Sequence, residues 1–183
     1  MNIHEENQTK KWIIDALFEL LRNKEYHDIT IARITDKAGL GRRTFYRYFK
    51  TKDEVIENVT QSLMNEFADT VIKNQAETLE AVIKSYFEFW ENYVDILLLL
   101  KKAHLLYFIE DNLLSLFYGV ALKVGHGSPE RLDDDEIEVQ YDKHIYEFTF
   151  KLAGLWKCTL FWCSESPRKT PEEMSRRLCE FLK

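Results

Sequence analysis

Apolar residues recur at helical spacing along most of the chain. Ile13, Leu17, Leu20 and Leu21 share one face and predict a first helix from about Thr9 to Arg22. Residues 1–8 read as a frayed arm, and Asn23 to Asp28 as a polar exit. Thr30 then stands as the N-cap of a short helix through Ala38, with Ile31, Ile34 and Ala38 inward. Gly39-Leu40-Gly41 ends it. Gly39 suits a left-handed position after the helix, and Leu40 would plug the corner. A third helix covers Arg42 to Phe49. Thr51 and Glu54 form a capping box that opens a long fourth helix, with Val55, Ile56, Val59, Leu63, Phe67 and Val71 as its apolar positions.

The remainder is also helical. Leu79, Val82, Ile83, Tyr86, Phe87 and Trp90 mark a fifth helix. Tyr93 to Leu100 is a short, very apolar segment, and Leu105 to about Lys123 another helix. Gly125 to Pro129 is the clearest loop, and an acidic stretch, Asp133 to Glu136, follows it. A long helix runs from about Glu136 to Ser164 and stops at Ser166-Pro167. Thr170-Pro171-Glu172-Glu173 is a second capping box with proline at the first helical position. It starts a last helix with Met174, Leu178, Phe181 and Leu182 inward.

The fold class is therefore all-α. A three-helix helix-turn-helix domain over residues 1–51 precedes a helical domain over residues 52–183, with about nine helices in all. Six glycines and three prolines are too few for an all-β fold built on tight turns. At 45% hydrophobic and 31% charged residues the composition is globular. The opening residues have no apolar core of signal-peptide length, and the longest apolar run, Ile96 to Leu100, cannot span a bilayer. A cytoplasmic protein without a membrane partner is expected. Cys158, Cys163 and Cys179 have no metal-ligand spacing and read as small buried hydrophobes in a reducing compartment.

A net charge of −6 argues against a nucleic-acid partner until its distribution is considered. Residues 1–50 carry 10 Lys/Arg against 7 Asp/Glu, and residues 51–183 carry 15 against 24. Between residues 30 and 52, Arg33, Lys37, Arg42, Arg43, Arg47, Lys50 and Lys52 face only Asp36. A basic module on an acidic body is a footprint for polyanion binding; a solvated helix face is the alternative. The pattern resolves into a helix-turn-helix whose second helix would enter the major groove. Phe45 and Phe49, four apart, pack inward and leave Arg42, Arg43, Tyr46 and Arg47 facing out. Arginine forks suit guanine edges. Thr44, Tyr46, Tyr48 and Lys52 can donate to phosphates, Thr30 adds a hydroxyl at a helix start, and Arg33 can reach a base or a phosphate.

The run Thr30-Ile31-Ala32-Arg33-Ile34 through Ala38-Gly39-Leu40, then Thr44-Phe45-Tyr46-Arg47-Tyr48-Phe49 and Lys52-Asp53-Glu54, resembles the DNA-binding domain of TetR/AcrR-type transcription regulators. The resemblance covers about Ile13 to Val59. It implies a backbone or base contact for Tyr46, phosphate contacts for Thr44 and Lys52, and operator choice through Arg33, Arg42 and Arg43. Gly41 stands where the family often has a serine N-cap, and Thr35 where it has a small alanine.

The helix from Glu136 carries one apolar stripe through Tyr141, Ile145, Phe148, Leu152, Leu155, Thr159 and Trp162. A second runs through Tyr146, Phe150, Ala153, Leu160 and Cys163, so the helix buries on two sides. The chain's end also resembles the last two helices of many TetR-type regulators. That implies a two-fold dimer, with Phe150, Leu160, Met174, Leu178 and Phe181 as interface candidates; one thick monomer core is the alternative. The aromatic-rich body suits a pocket for a small hydrophobic ligand, with Trp90, Tyr93, His104, Tyr107, Phe108, Phe117 and Phe148 as candidates and plain core packing as the alternative. His104 reads as a core or pocket histidine.

These features point to a repressor released from a palindromic operator by that ligand. The competing reading is a DNA-binding regulator controlled by a protein partner, or an activator, with the acidic stretch as a docking edge. An enzyme is not expected: nucleophile-elbow, phosphate-loop and metal-ligand motifs are lacking, and the five histidines are scattered. No cofactor or metal is expected.

Overall fold

The computed structural model describes residues 3–74, 78–110, 112–113 and 134–182; the side chains of 3–6, 71–72, 74, 134–145, 148 and 182 are left aside. Among the described residues every regular element is helical. These are α1 (Ile3–Asn23), a 3-10 turn (Tyr26–Asp28), α2 (Ile31–Lys37), α3 (Arg42–Tyr48), α4 (Lys52–Asn74), α5 (Leu79–Glu91), α6 (Val94–Lys102), α7 (Asp134–Ser164) and α8 (Pro171–Leu182). Residues 107–110 and 112–113 are also helical. The expected loop at Gly125–Pro129, most of the helix expected over Leu105–Lys123, and Phe117 lie outside the described residues, as does the Phe148 side chain. No described helix is long and apolar enough to cross a membrane.

Capping chemistry sets several of the boundaries. Thr30 Oγ1 accepts from the Arg33 N–H at 3.3 Å and starts α2. The end of α2 is a Schellman turn. Gly39 takes φ +66°, its N–H donates to the Asp36 carbonyl at 3.1 Å, and the Leu40 N–H donates to the Thr35 carbonyl at 2.8 Å. A β-carbon is disfavoured at that φ whatever the space around it. Gly39→Ala is therefore expected to destabilise the head by about 1–2 kcal/mol, read as a lower thermal midpoint; an unchanged midpoint would mean the turn relaxes to another conformation.

At α4, the Glu54 N–H donates to Thr51 Oγ1 at 3.1 Å, and the Glu54 carboxylate accepts from the Lys50 N–H at 2.6 Å. At α8 the box is fully reciprocal between Thr170 and Glu173, at 2.8 and 3.2 Å. Helix α1 begins at Ile3, ahead of the expected Thr9. Nothing between them breaks a helix, and Glu5 and Glu6 suit its first turns.

The chain forms two compact units: residues 1–63 with 99–109, and residues 64–98 with 110–183. In the first, α1 packs on α2 and α2 on α3, around buried Ile13, Leu17, Leu21, Ile29, Ile34, Phe45, Phe49, Val55 and Ile56. Thr35 is buried as well, with its hydroxyl donating to the Ala32 carbonyl at 3.0 Å. The larger residue thus fits this core without an unmet polar group.

In the second unit α5 packs along α8. Its core is aromatic: Phe87 meets Trp162 edge-to-face at 5.1 Å, Tyr86 meets Phe67 at 5.7 Å, and Trp90 meets Trp156 at 5.7 Å. The buried Thr159 hydroxyl gives its hydrogen to the Leu155 carbonyl at 2.9 Å, so the Tyr86 hydroxyl, 2.8 Å away, must be the donor between them. The α7 stripes divide unevenly. Leu152, Trp156, Thr159, Leu160, Trp162 and Cys163 are buried, whereas Tyr146 and Phe150 are exposed.

A candidate DNA-reading head

The loop before α3 supplies no side-chain cap. Gly41 is the N-cap residue, in extended backbone, and no side-chain hydrogen bond closes the first turn. The family's serine hydrogen bond is therefore missing here. What orients α3 is its buried side. Phe45 is fully buried, with its ring 6.0 Å from that of Phe49 and edge-on to Tyr46 at 5.7 Å. Anchoring Phe45 inward turns the other residues of this short helix toward solvent.

Arg42, Arg43 and Arg47 are exposed, and Thr44 and Tyr48 are half-buried. Tyr46 remains 56% exposed despite its large ring. Among the described residues, the Arg42 and Arg43 guanidinium groups have no partner. Arg47 instead lies 4.9 Å over the Tyr48 ring and donates to its hydroxyl at 3.2 Å. The helix thus presents two unpaired forks, an aromatic hydroxyl and a restrained third arginine on one small surface.

The other basic candidates are placed differently. Arg33 is exposed, but Nη1 donates to the Asp28 carbonyl at 2.6 Å. Lys52 is half-buried. Its Nζ donates to the carbonyls of Tyr26 at 2.5 Å and Ile29 at 2.9 Å, and lies 4.1 Å over the Tyr26 ring. Desolvation pulls the Lys52 pKa below the ordinary lysine value, although Asp53 and Asp28 act in the opposite sense. The Tyr26 hydroxyl donates to the Asp53 carboxylate. Burial, then that hydrogen bond, push the Tyr26 pKa above its ordinary value. Tyr26 and Asp53 escaped the sequence reading because 27 positions separate them; the only signal was an aromatic residue in an otherwise polar exit from α1.

Residues 13–59 match the family profile described as "Bacterial regulatory proteins, tetR family". Over residues 13–59 the chain is TetR-like. The match covers the TetR-type head. The chain is 32% identical over 81 residues to the "Fatty acid metabolism regulator protein" of Bacillus subtilis (strain 168), covering 41% of this chain and 42% of that protein. It is 30% identical over 74 residues to the "HTH-type dhaKLM operon transcriptional activator DhaS" of Lactococcus lactis subsp. lactis (strain IL1403), covering 40% and 38% respectively. The chain thus spans about two fifths of the length of these curated relatives. Over nearly the full length its fold is similar to a TetR transcriptional regulator from Streptococcus agalactiae 2603V, with TM-score 0.65, 19% identity and coverage of 98% of this chain and 96% of that one. The all-helical TetR fold therefore extends through the second unit.

The remaining candidates fall in both units. In the first, Tyr107 is half-exposed and stacks on buried Phe108 at 4.3 Å. His104 is not a core residue: it is exposed, at φ +59°. Its N–H donates to the Lys101 carbonyl at 3.2 Å and that of Leu105 to the Leu100 carbonyl at 2.9 Å. His104 is thus the left-handed residue of a Schellman turn closing α6, the place Gly39 takes after α2.

In the second unit Trp90 is fully buried, its ring edge-on to Tyr86 at 6.3 Å, and among the described residues its indole N–H interacts with the Tyr86 hydroxyl without reaching full hydrogen-bond geometry. Tyr93 donates to the Glu66 carboxylate at 2.6 Å, and burial, reinforced by that carboxylate, pushes its pKa up to about 12. Of the interface candidates, Leu160 and Met174 are buried within the unit. Phe150, Leu178 and Phe181 instead line a groove of about 390 Å³ with Leu155 and Cys158. Phe181, expected inward, is exposed because α8 turns Met174, Ser175 and Cys179 to the core.

Proposed function

We propose that the chain is a sequence-specific DNA-binding transcription regulator that reads a palindromic operator as a homodimer, with a reading head over residues 1–51 and an effector and dimerisation body over 52–183. The observation that carries the reading is the face of α3, where unpaired Arg42 and Arg43 flank Tyr46 beside a fully buried Phe45. Unpaired guanidinium forks suit guanine edges and phosphates, and a rigid inward anchor fixes where they point. Thr30, Thr44 and Tyr48 are placed to add hydroxyl contacts that set register. A protein that reads the chromosome of a bacterium acts in the cytoplasm.

Ligand control by a small hydrophobic molecule is the preferred mode of regulation. It is supported by the aromatic-rich body around Tyr86, Phe87, Trp90 and Trp156, the kind of lining that apolar ligands meet in helical domains. The Bacillus relative's name points to fatty acid metabolism and favours this reading. The Lactococcus relative is named an activator and keeps activation as the alternative to repression.

The test is selection of bound sequences from a random duplex pool, followed by salt titration on the winner. A palindromic consensus with steep salt dependence is expected. Absence of enrichment, with only weak binding at low salt, would refute sequence reading. On the selected duplex, Arg43→Ala and Tyr46→Ala should each weaken binding by about 1–3 kcal/mol with unchanged thermal midpoints. Wild-type affinity in both variants would remove α3 from the contact surface.

A further inference from the structure

The resemblance assigns Lys52 a phosphate contact, yet its ammonium is engaged within the head. Two of its three N–H groups are given to the Tyr26 and Ile29 carbonyls, and the Tyr26 ring lies 4.1 Å beneath it. These carbonyls belong to the corner between α1 and α2. The 3-10 turn ends there: the Tyr26 carbonyl keeps one amide partner, the Ile29 N–H at 3.1 Å, and no continuing helix supplies amides to the carbonyls that follow. Arg33 takes the carbonyl between them, Asp28, at 2.6 Å. Two cations from different helices therefore cap three of the four carbonyls from Tyr26 to Ile29.

The surroundings also disfavour a phosphate. Asp53 and Asp28 both act electrostatically on Lys52, and Asp53 is held in place by the Tyr26 hydroxyl. With Arg33 on the same corner, the two carboxylates and two cations meet each other's charge within the head, so Lys52 is not a lone positive charge offered to a phosphate. Among the described residues Arg42 and Arg43 have no such partners, and Lys50, two residues away, is exposed.

We propose that Lys52 is a positioning residue: it bolts the start of α4, and with it the exit of α3, to the α1–α2 corner, and it neutralises no DNA phosphate. Its reach toward DNA runs through α3. Losing it lets α3 shift relative to α2, which weakens readout of a specific site but not general attraction to the duplex. The DNA measurements rest on the proposed DNA reading; the chemical one does not.

Two experiments decide. Lys52→Met is compared with the wild type on the selected duplex and on one of scrambled sequence, each across a salt series. Specific affinity is expected to fall roughly tenfold, the worth of a charge-assisted hydrogen bond, with scrambled-duplex affinity and both salt slopes unchanged. A merely structural lesion would lower both affinities together by reducing the folded fraction, and that result would overturn the assignment. So would a slope smaller by about 0.9, the signature of one lost phosphate contact.

Should Lys52→Met not fold, the second experiment stands on wild-type protein. Lysine acetylation is followed residue by residue, with and without scrambled duplex. Lys52 is expected to react far more slowly than Lys50 in free protein and to gain no protection from DNA. Lys52 as reactive as Lys50, or shielded only by DNA, would overturn the assignment. Wild-type protein that binds no duplex would refute DNA reading and leave the free-protein reactivity to judge the bolt.

Discussion

Phe45→Ala is expected to melt the reading head, whereas Tyr46→Ala, one residue on, leaves it folded. Phe45 is fully buried and packs against Phe49 and the edge of Tyr46. Truncating such a ring costs about 3–5 kcal/mol in transfer free energy and residual cavity. A small unit has total stability on the order of 5–15 kcal/mol, so the loss removes a large share of it. The neighbouring core cannot collapse cheaply into the gap, because Ile13, Leu17, Ile34 and Val55 are already fully buried. Thermal unfolding by circular dichroism should show a midpoint lower by roughly 12 °C or more, at about 4–8 °C per kcal/mol for a unit of this size. DNA binding would be lost with the fold. A loss below about 1 kcal/mol would mean that Phe45 does not anchor α3, and the outward placement of Arg42, Arg43 and Tyr46 would lose its physical cause.

The second large effect concerns the outer face of α7 and α8. Tyr146, Phe150 and Phe161 are 84%, 82% and 66% exposed and recur at near-helical multiples on α7, while Phe181 on α8 is 81% exposed. Large aromatics on a monomer surface are normal when scattered, but a contiguous patch marks an interaction site. Here Phe150 and Phe181 line the same apolar groove. If a second copy covers it, Phe150→Asp with Phe181→Asp places charges in the centre of an apolar interface. Each uncompensated buried charge costs about 3–5 kcal/mol. Analytical ultracentrifugation should then find dimer for the wild type and monomer for the double variant. The variant should lose affinity for the palindromic duplex yet bind a half-site like a wild-type subunit. A monomeric wild type, or a variant that dimerises unchanged, would remove this face from the assembly. Neither side chain contributes to the buried core, so thermal stability of the unit itself should hardly move.

These two experiments separate kinds of information that the chain carries differently. The position of α3 between Gly41 and Phe49, the Thr30 cap, the Gly39 turn and both capping boxes follow from interactions three to five residues apart. So does the burial of Phe45 and Phe49, which occupy one turn. The Arg42–Tyr48 face was therefore open to reading from residue order alone, once the inward side of its helix was known.

The engagement of Lys52 within the head was not legible because its partners lie 23 and 26 residues upstream, and a basic residue at a helix start gives no hint of a carbonyl corner. The exposure of His104 was hidden differently: a histidine in an apolar stretch suggests core, whereas its backbone role depends on where α6 stops. Phe181 fits either the core or the outer face until the packing of α8 on α5 fixes the rotation of the helix.

Helical periodicity, caps and breakers determined which segments fold, where they begin and end, and which short helix carries the basic surface, because those effects act within a turn or two of backbone. Tertiary structure alone decided which cations are free for a partner and which are consumed inside the head, and which aromatics close a core and which remain on the surface. Those outcomes depend on pairs as distant as Tyr26 with Asp53 and Tyr86 with Thr159, which meet only when whole helices pack.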